Sequence, residues 1–411
     1  MLLDIVRNPE TLIIARKGEQ FFTRNRKMSF EDLVLSKFTM QKTAIPDFLN
    51  NFFSKLNKGE SMSQPAYSKA RNNFDHSPFE TMFRETLKDE YSGEYELPLY
   101  KGYHVFSVDG THFNLPKAQE LIEEFGTFGS PDSPMAGVSI LYDVLHERVL
   151  DASIAHSDRS EREECEKHLD FIIKELSHIV NKVLLLLDRG YQSSDLFLKF
   201  HNSGIKFLCR CSSRFLSVVN DAPLGSSLFT LDNGLSIRVI KFILPTGEIE
   251  TLVTNLYDMP EADFPKLYFM RWGIETMFDK LKNTVCIENF SGKTVTSINQ
   301  DFWANLVLFN LAADFFDEAN EIIKQEQEQK DKPNKHEYKA RYTNLIVILR
   351  NRFITALYSG NNDSFGKELD NIIEVILNEA IRVKSPIRPN RSFKRKPKKI
   401  CKFNHNLKSH L

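Results

Sequence analysis

The spacing of apolar side chains changes twice along the chain. Through the first hundred residues it is helical, broken by short loops. Ser29 is placed to cap a helix over Phe30 to Phe38, behind the basic cluster Arg24, Arg26 and Lys27. A second apolar helix is expected near Ala44 to Leu56, closed by Asn57, Lys58 and Gly59. A third begins at Ser63-Gln64-Pro65 and carries Lys69 and Arg71. Three short helices with basic residues on the last resemble a helix-turn-helix module, so Lys69 and Arg71 are candidate DNA contacts.

At Tyr103 the period becomes that of strands, over Tyr103 to Val108, Ala136 to Val144 and Val149 to Ala155. A helix from about Glu161 to Leu176 follows the start signal Ser157-Asp158-Arg159-Ser160. Val183 to Leu187 is an unbroken apolar run, the pattern of a strand buried on both faces. Strands, a helix and a buried strand in that order predict an α/β core with a mixed sheet. A second β-rich stretch covers Ile205 to Arg210, Ser236 to Leu244 and Glu250 to Thr254, with turns at Asp232-Asn233-Gly234 and Pro245-Thr246-Gly247. Helix returns over Asp263 to Lys282, Asn299 to Ile323, Lys339 to Tyr358 and Phe365 to Val383. The intervening run Lys324 to Lys335 is too polar to pack and is expected to end a helix and form a surface loop.

Composition narrows the class. A chain of 411 residues, 41% of them hydrophobic, can bury a sizeable core. Five cysteines suit reduced thiols better than a disulfide framework. The first residues lack the charge order of a secretory signal, and no apolar run approaches the roughly 20 residues that span a bilayer. A soluble, cytoplasmic protein with no membrane partner is expected. The net charge of -1 hides an asymmetry: Arg382 to Leu411 holds eleven Lys or Arg and no Asp or Glu, so 43 basic residues face 55 acidic ones in the rest. The tail is a polycation on an acidic body.

Asp109 closes the run Val105 to Val108 ahead of Gly110, and Asp188 closes Val183 to Leu187 ahead of Arg189 and Gly190. A carboxylate at a strand tip, beside a glycine that allows a sharp turn, projects from the sheet edge where α/β folds bind ligands. Two such tips can share one metal site. On the expected helix 263–282, Tyr268, Arg271, Glu275 and Lys282 fall in one stripe about 60° wide, with Ile274, Met277, Phe278 and Leu281 on the neighbouring arc. Mg²⁺ and Mn²⁺ take oxygen ligands, and a pair of ions can activate a water or a 3′-hydroxyl while stabilising the oxygen that leaves phosphorus. Asp109, Asp188 and Glu275 would hold the ions. Arg271 and Lys282 would then hold DNA phosphates, with Tyr268 adding a hydrogen bond or a stacked base.

With these residues in place, the chain resembles the DDE transposases of the insertion-sequence-four family. The resemblance lies in Val108-Asp109-Gly110-Thr111-His112-Phe113-Asn114-Leu115-Pro116, in Leu187-Asp188-Arg189-Gly190-Tyr191 with Asp195-Leu196-Phe197, and in Tyr268, Arg271, Glu275 and Lys282, which reproduce the family's Tyr-Arg-Glu-Lys signature. It implies an α/β, RNase H-like catalytic core with a mixed sheet and a β-rich insertion, an all-α N-terminal domain and a helical C-terminal region. The corresponding boundaries are a DNA-binding domain at 1–100, the core at 101–204 and 261–322, the insertion at 205–260, and a C-terminal region with a basic tail at 323–411. It further implies a bacterial, nucleoid-associated enzyme that performs cut-and-paste transposition. Catalysis and metal binding would fall to Asp109, Asp188 and Glu275, with two Mg²⁺ or Mn²⁺ ions per site. The partners would be double-stranded DNA, as transposon ends and target, and a second copy of the chain in a synaptic dimer. Arg189, Arg395 and Lys396 join Tyr268, Arg271, Lys282, Lys69 and Arg71 as DNA-binding candidates. The only tryptophans are Trp272 and Trp303, so the insertion has none to receive a flipped base, and Phe215, Phe229 or Phe242 is expected to substitute.

Other readings carry less. Cys165, His168 and His156 lack the paired spacing of a zinc site and read as scattered surface residues. Cys209 and Cys211 alternate along a strand, one thiol in and one out. Asp143, Glu161 and Asp279 are spare acids for a metal, and each reads as a surface residue. A silent DNA-binding derivative would have lost one of the three acids, and a nuclease without strand transfer would not need the Tyr268, Arg271 and Lys282 stripe.

Overall fold

A computed structural model describes residues 1–40, 43–88, 90–93, 97–212, 214–329, 338–358, 362–379 and 381–382. The strands of its main sheet are β1 (His104–Asn114), β2 (Met135–Asp143), β3 (Arg148–Ala155), β4 (Val183–Leu187), β5 (Lys206–Arg210), β6 (Gly225–Thr230), β7 (Ser236–Ile243) and β8 (Ile249–Thr254). They form one sheet in the order β3-β2-β1-β4-β5-β8-β7-β6. β1, β4 and β5 are parallel, while β2 with β3 and each pair from β5 outward to β6 are antiparallel. The first five strands, flanked by helices, have the RNase H-like arrangement.

The β-rich stretch extends this same sheet. Ile240 and Leu252 of the added strands share one core with Val105, Leu184, Leu186 and Leu208, and Phe264 and Leu267 from the next helix pack on it. β4 is buried along its whole length, as an interior parallel strand must be. β6 escapes the apolar pattern because it is the outer edge strand, where residues alternate only between half-buried and exposed and Ser226 stands beside Ser227. Among the described residues no helix is long and apolar enough to cross a membrane.

Two compact units divide the chain, and they cut across the expected boundaries. The sheet unit comprises Leu87–Phe113 and Ile122–Leu281. The helical unit joins Met1–Thr86 and Asn114–Leu121 to the chain from Lys282 onward. The N-terminal helices thus share a core with C-terminal ones: Phe83 packs on Trp303 within Val295–Glu328, a single helix of 34 residues that runs into the polar stretch after Lys324. The remainder of that stretch, from Lys330 to Lys335, lies outside the described residues.

Arg71 corrects one expectation. It is 3% exposed, and its guanidinium donates to Gln300 Oε1 at 2.8 Å, to the Ser297 carbonyl at 3.0 Å and to Asp301 Oδ1 at 2.9 Å, where Lys37 also binds. Its charge is neutralised inside the helical unit and cannot reach a phosphate. Arg71→Ala leaves Asp301 with Lys37 as its one cation, beside the Ser291 hydrogen bonds, and Gln300 short of a donor. It is expected to cost about 3 kcal/mol in denaturant unfolding, without weakening DNA binding by the molecules that fold. Lys69, on the same helix, is exposed and stays available.

Candidate active site

The register of the two central strands places the aspartates. Ser107 of β1 lies opposite Leu186 of β4 in a parallel ladder. Two residues further on, Asp109 comes level with Asp188, on strands that pair at about 4.8 Å. β1 does not stop at Asp109, as the Asp-Gly pair had suggested; it continues to Asn114, past the end of its ladder with β4. Asp109 Oδ1 accepts the Gly110 N–H at 2.8 Å, and Asp188 Oδ1 accepts the Gly190 N–H at 2.8 Å. The Oδ2 of each has no hydrogen-bond partner among the described residues. Burial and then the negative charge of Asp188 push the Asp109 carboxyl up to about 7, against the pull of the Gly110 N–H and of Arg271.

The helix expected over 263–282 is broken. It runs over Phe264–Phe269, tightens through Met270 and Arg271, resumes over Trp272–Asp279 and opens into a π-helical stretch at Lys280–Val285. The tightening shows in i to i+3 bonds, Arg271 N–H to Tyr268 carbonyl and Ile274 N–H to Arg271 carbonyl, both 3.1 Å. A uniform 100° step therefore does not apply from 268 to 282. Three members of the stripe still meet: Arg271 lies over the Tyr268 ring at 5.7 Å and donates to Glu275 Oε1 at 2.7 Å. Lys282 falls in the helical unit. Arg271 also acts electrostatically on Asp109, so it stands between the aspartate pair and Glu275. The Tyr268 hydroxyl and Arg271 Nε are buried without a hydrogen-bond partner.

Glu161 is exposed, as expected of a surface acid, and turns its carboxylate toward the glycines that follow the two aspartates. A Cβ built on Gly190 would fall 2.6 Å from Glu161 Oε2 and 3.1 Å from Asp188 Oδ1. One built on Gly110 would fall 3.5 Å from Glu161 Oε1 and 2.8 Å from Arg159 Nη2. These close approaches are what the two glycines permit. Tyr191, in the turn after Asp188, is fully buried, and its hydroxyl has no hydrogen-bond partner. After burial itself, the negative charges of Asp109, Glu161 and Asp188 hold that hydroxyl well above the usual phenol range.

The donor set suits a hard divalent cation: it offers oxygen alone, and the unneutralised charge between Asp109 and Asp188 is what such an ion relieves. Glu275 is committed to Arg271 in this arrangement. Among the described residues no three His, Cys, Asp or Glu side chains are gathered closely enough to hold an ion as they stand.

The remaining candidates separate clearly. Arg189 is exposed beside Asp188. Arg395 and Lys396, with the basic tail from Val383 onward, lie outside the described residues. Phe215 packs edge-on against Phe197, Phe242 packs on the core, and Phe229 is half-buried on β6. Phe269 and Trp272 are 73% and 50% exposed on either side of Met270 and Arg271. His168 is buried and bonded to Asp151 and Ser139, and Asp143 is buried against Tyr91 and His146, so neither is the surface residue expected; Cys209 and Cys211 are both buried where one was expected to be exposed. A separate pocket lined by Lys101, Tyr103, Lys206 and Tyr257 sits at the opposite end of β1 and holds none of the acids.

Comparison with known proteins places these features. A family model described as the transposase DDE domain matches residues 100–311. Among solved structures, the chain is similar to a cryo-EM structure of the piggyBac transposase synaptic complex with hairpin DNA, with 11% identity, a TM-score of 0.48, and coverage of 92% of this chain and 85% of that one. No curated protein matches.

Proposed function

Because the chain belongs to the transposase DDE domain family, whose model matches residues 100–311, we propose that this transposase binds the inverted-repeat ends of an insertion sequence and moves it by cut-and-paste, as an insertion-sequence-four enzyme. The observation that carries the reading is the pairing of Asp109 and Asp188 at the end of the β1–β4 ladder, each with one carboxylate oxygen left over.

Asp109 and Asp188 would hold Mg²⁺ or Mn²⁺, two ions per site, and Glu275 would complete the set after giving up Arg271. The ions would activate the attacking hydroxyl and stabilise the leaving oxygen. Hydrolysis breaks the bond from phosphorus to the 3′-oxygen, joins the water oxygen to phosphorus, and leaves a 3′-hydroxyl that attacks a target phosphodiester. Releasing Glu275 frees the Arg271 guanidinium for a phosphate oxygen. The orphaned Tyr268 hydroxyl and Arg271 Nε are suited to the same group, since a buried donor without a partner costs stability that a ligand recovers. Arg189, Lys69, Lys282 and the basic tail with Arg395 and Lys396 add sequence-independent phosphate contacts. Two copies of the chain would hold two ends in a synaptic dimer.

Purified protein with Mg²⁺ and DNA bearing its element's end is expected to nick that end, and a chelator is expected to stop nicking far more than binding. Binding without nicking under Mg²⁺ and Mn²⁺ alike would identify a silent regulatory derivative instead. Trp272 and Phe269, exposed beside Arg271, are the aromatics placed to stack on an unpaired base. Trp272→Ala is expected to weaken binding of end DNA about tenfold in fluorescence anisotropy with chelator present; unchanged affinity would remove it from the interface.

A further inference from the structure

Glu161 has no assigned role, makes no hydrogen bond or ion pair among the described residues, and is nonetheless fixed against the aspartate pair. It is the first residue of the helix Glu161–Glu175, which Ser160 caps and which seats Cys165, His168, Leu169 and Ile172 in the interior beside β2 and β3. The residues on either side anchor it further. Arg159 donates to the carbonyls of Val138 and Thr111, the first on β2 and the second two residues past Asp109. Arg162 donates to the Gly190 carbonyl at 3.3 Å, two residues past Asp188. Held so, the two carboxylate oxygens of Glu161 reach the glycines that follow the two aspartates. A carboxylate turned toward two others offers its free oxygens to a cation that would join them.

Tyr191 gives an independent sign that something is bound here. A hydroxyl at 0% exposure that makes no hydrogen bond is rare, because burial without a partner costs on the order of 1–3 kcal/mol. This one lies under the influence of Asp109, Glu161 and Asp188. A cation that draws those carboxylates together brings an acceptor to it.

We infer that Glu161 is a fourth acid of the metal site, ligating a divalent cation together with Asp109 and Asp188, with the Tyr191 hydroxyl donating to one of the bound carboxylates. The inference rests on the aspartate pair being a metal site. It makes the first ion a matter for three acids of the sheet unit, which the ion would draw together, and leaves Glu275 free to pair with Arg271 until DNA competes for the guanidinium.

Calorimetric titration of the full chain with Mn²⁺ alone, without DNA, tests it. Glu161→Gln is expected to weaken Mn²⁺ binding at least tenfold, Glu161→Asp to recover part of the loss, and Glu163→Gln, two residues along the same helix, to behave as wild type. Thermal melts in chelator confirm that each variant folds. Mn²⁺ affinity in Glu161→Gln within twofold of wild type, with binding lost in Asp188→Asn, overturns the role of Glu161 and leaves the aspartate site standing. Unchanged binding in both variants overturns the aspartate site and this inference with it.

Discussion

Asp109→Asn is expected to make the metal-free protein more stable at pH 8 and to leave it almost unchanged at pH 4. The Asp109 carboxyl is raised from 3.8 to about 7 in the folded chain, by burial first and by Asp188 second. A group raised on folding contributes stability that is fully present below its unfolded pKa and is lost as pH rises through the folded one. The window is therefore pH 4 to 7, and above it the ionised carboxylate costs on the order of 3 kcal/mol after allowance for its partial exposure. Asparagine stands in for the neutral acid and escapes that cost. Calorimetric melts in chelator should show the variant's advantage opening across this window, and Mn²⁺ should close it by stabilising wild type alone. A variant that melts at or below wild type at pH 8 in chelator would mean that Asp109 is not held against Asp188 as described.

Asp188→Asn should reduce end nicking on the order of a thousandfold or more while DNA affinity holds or rises. The loss follows if Asp188 holds a catalytic ion, because the barrier to phosphoryl transfer then loses both the activated nucleophile and the stabilised leaving group. The retained binding follows from charge: the substitution removes one negative group from a surface that must approach phosphates, and touches neither Arg271 nor Arg189. Nicking and anisotropy measured on one preparation separate the two effects. Nicking that survives in Asp188→Asn would refute the assignment, and a parallel loss of binding would point to a folding defect.

The elements of the sheet were readable because burial imposes a pattern on neighbouring residues. Val183 to Leu187 could only be an interior strand, and the periods over 135–143, 148–155, 236–243 and 249–254 follow from one or both faces being covered. β6 was not readable, since an edge strand has little burial to impose. Arg71 was misread for a related reason. A basic side chain on a short helix looks the same in sequence whether its partner is a phosphate or Asp301, 230 residues away.

By itself, then, the sequence determined the element types, the mixed α/β character and the candidate acids Asp109, Asp188 and Glu275, because strand and helix periods and the residues at their ends are local properties. Tertiary structure alone decided which of those acids meet. The register of β1 on β4 aligned the aspartates, the packing of the helix Glu161–Glu175 turned an exposed carboxylate toward the glycines that follow them, and the tightened turn at Arg271 tied Glu275 to a guanidinium. These are distances between residues tens of positions apart, fixed by how the sheet and helices pack, and no local pattern encodes them.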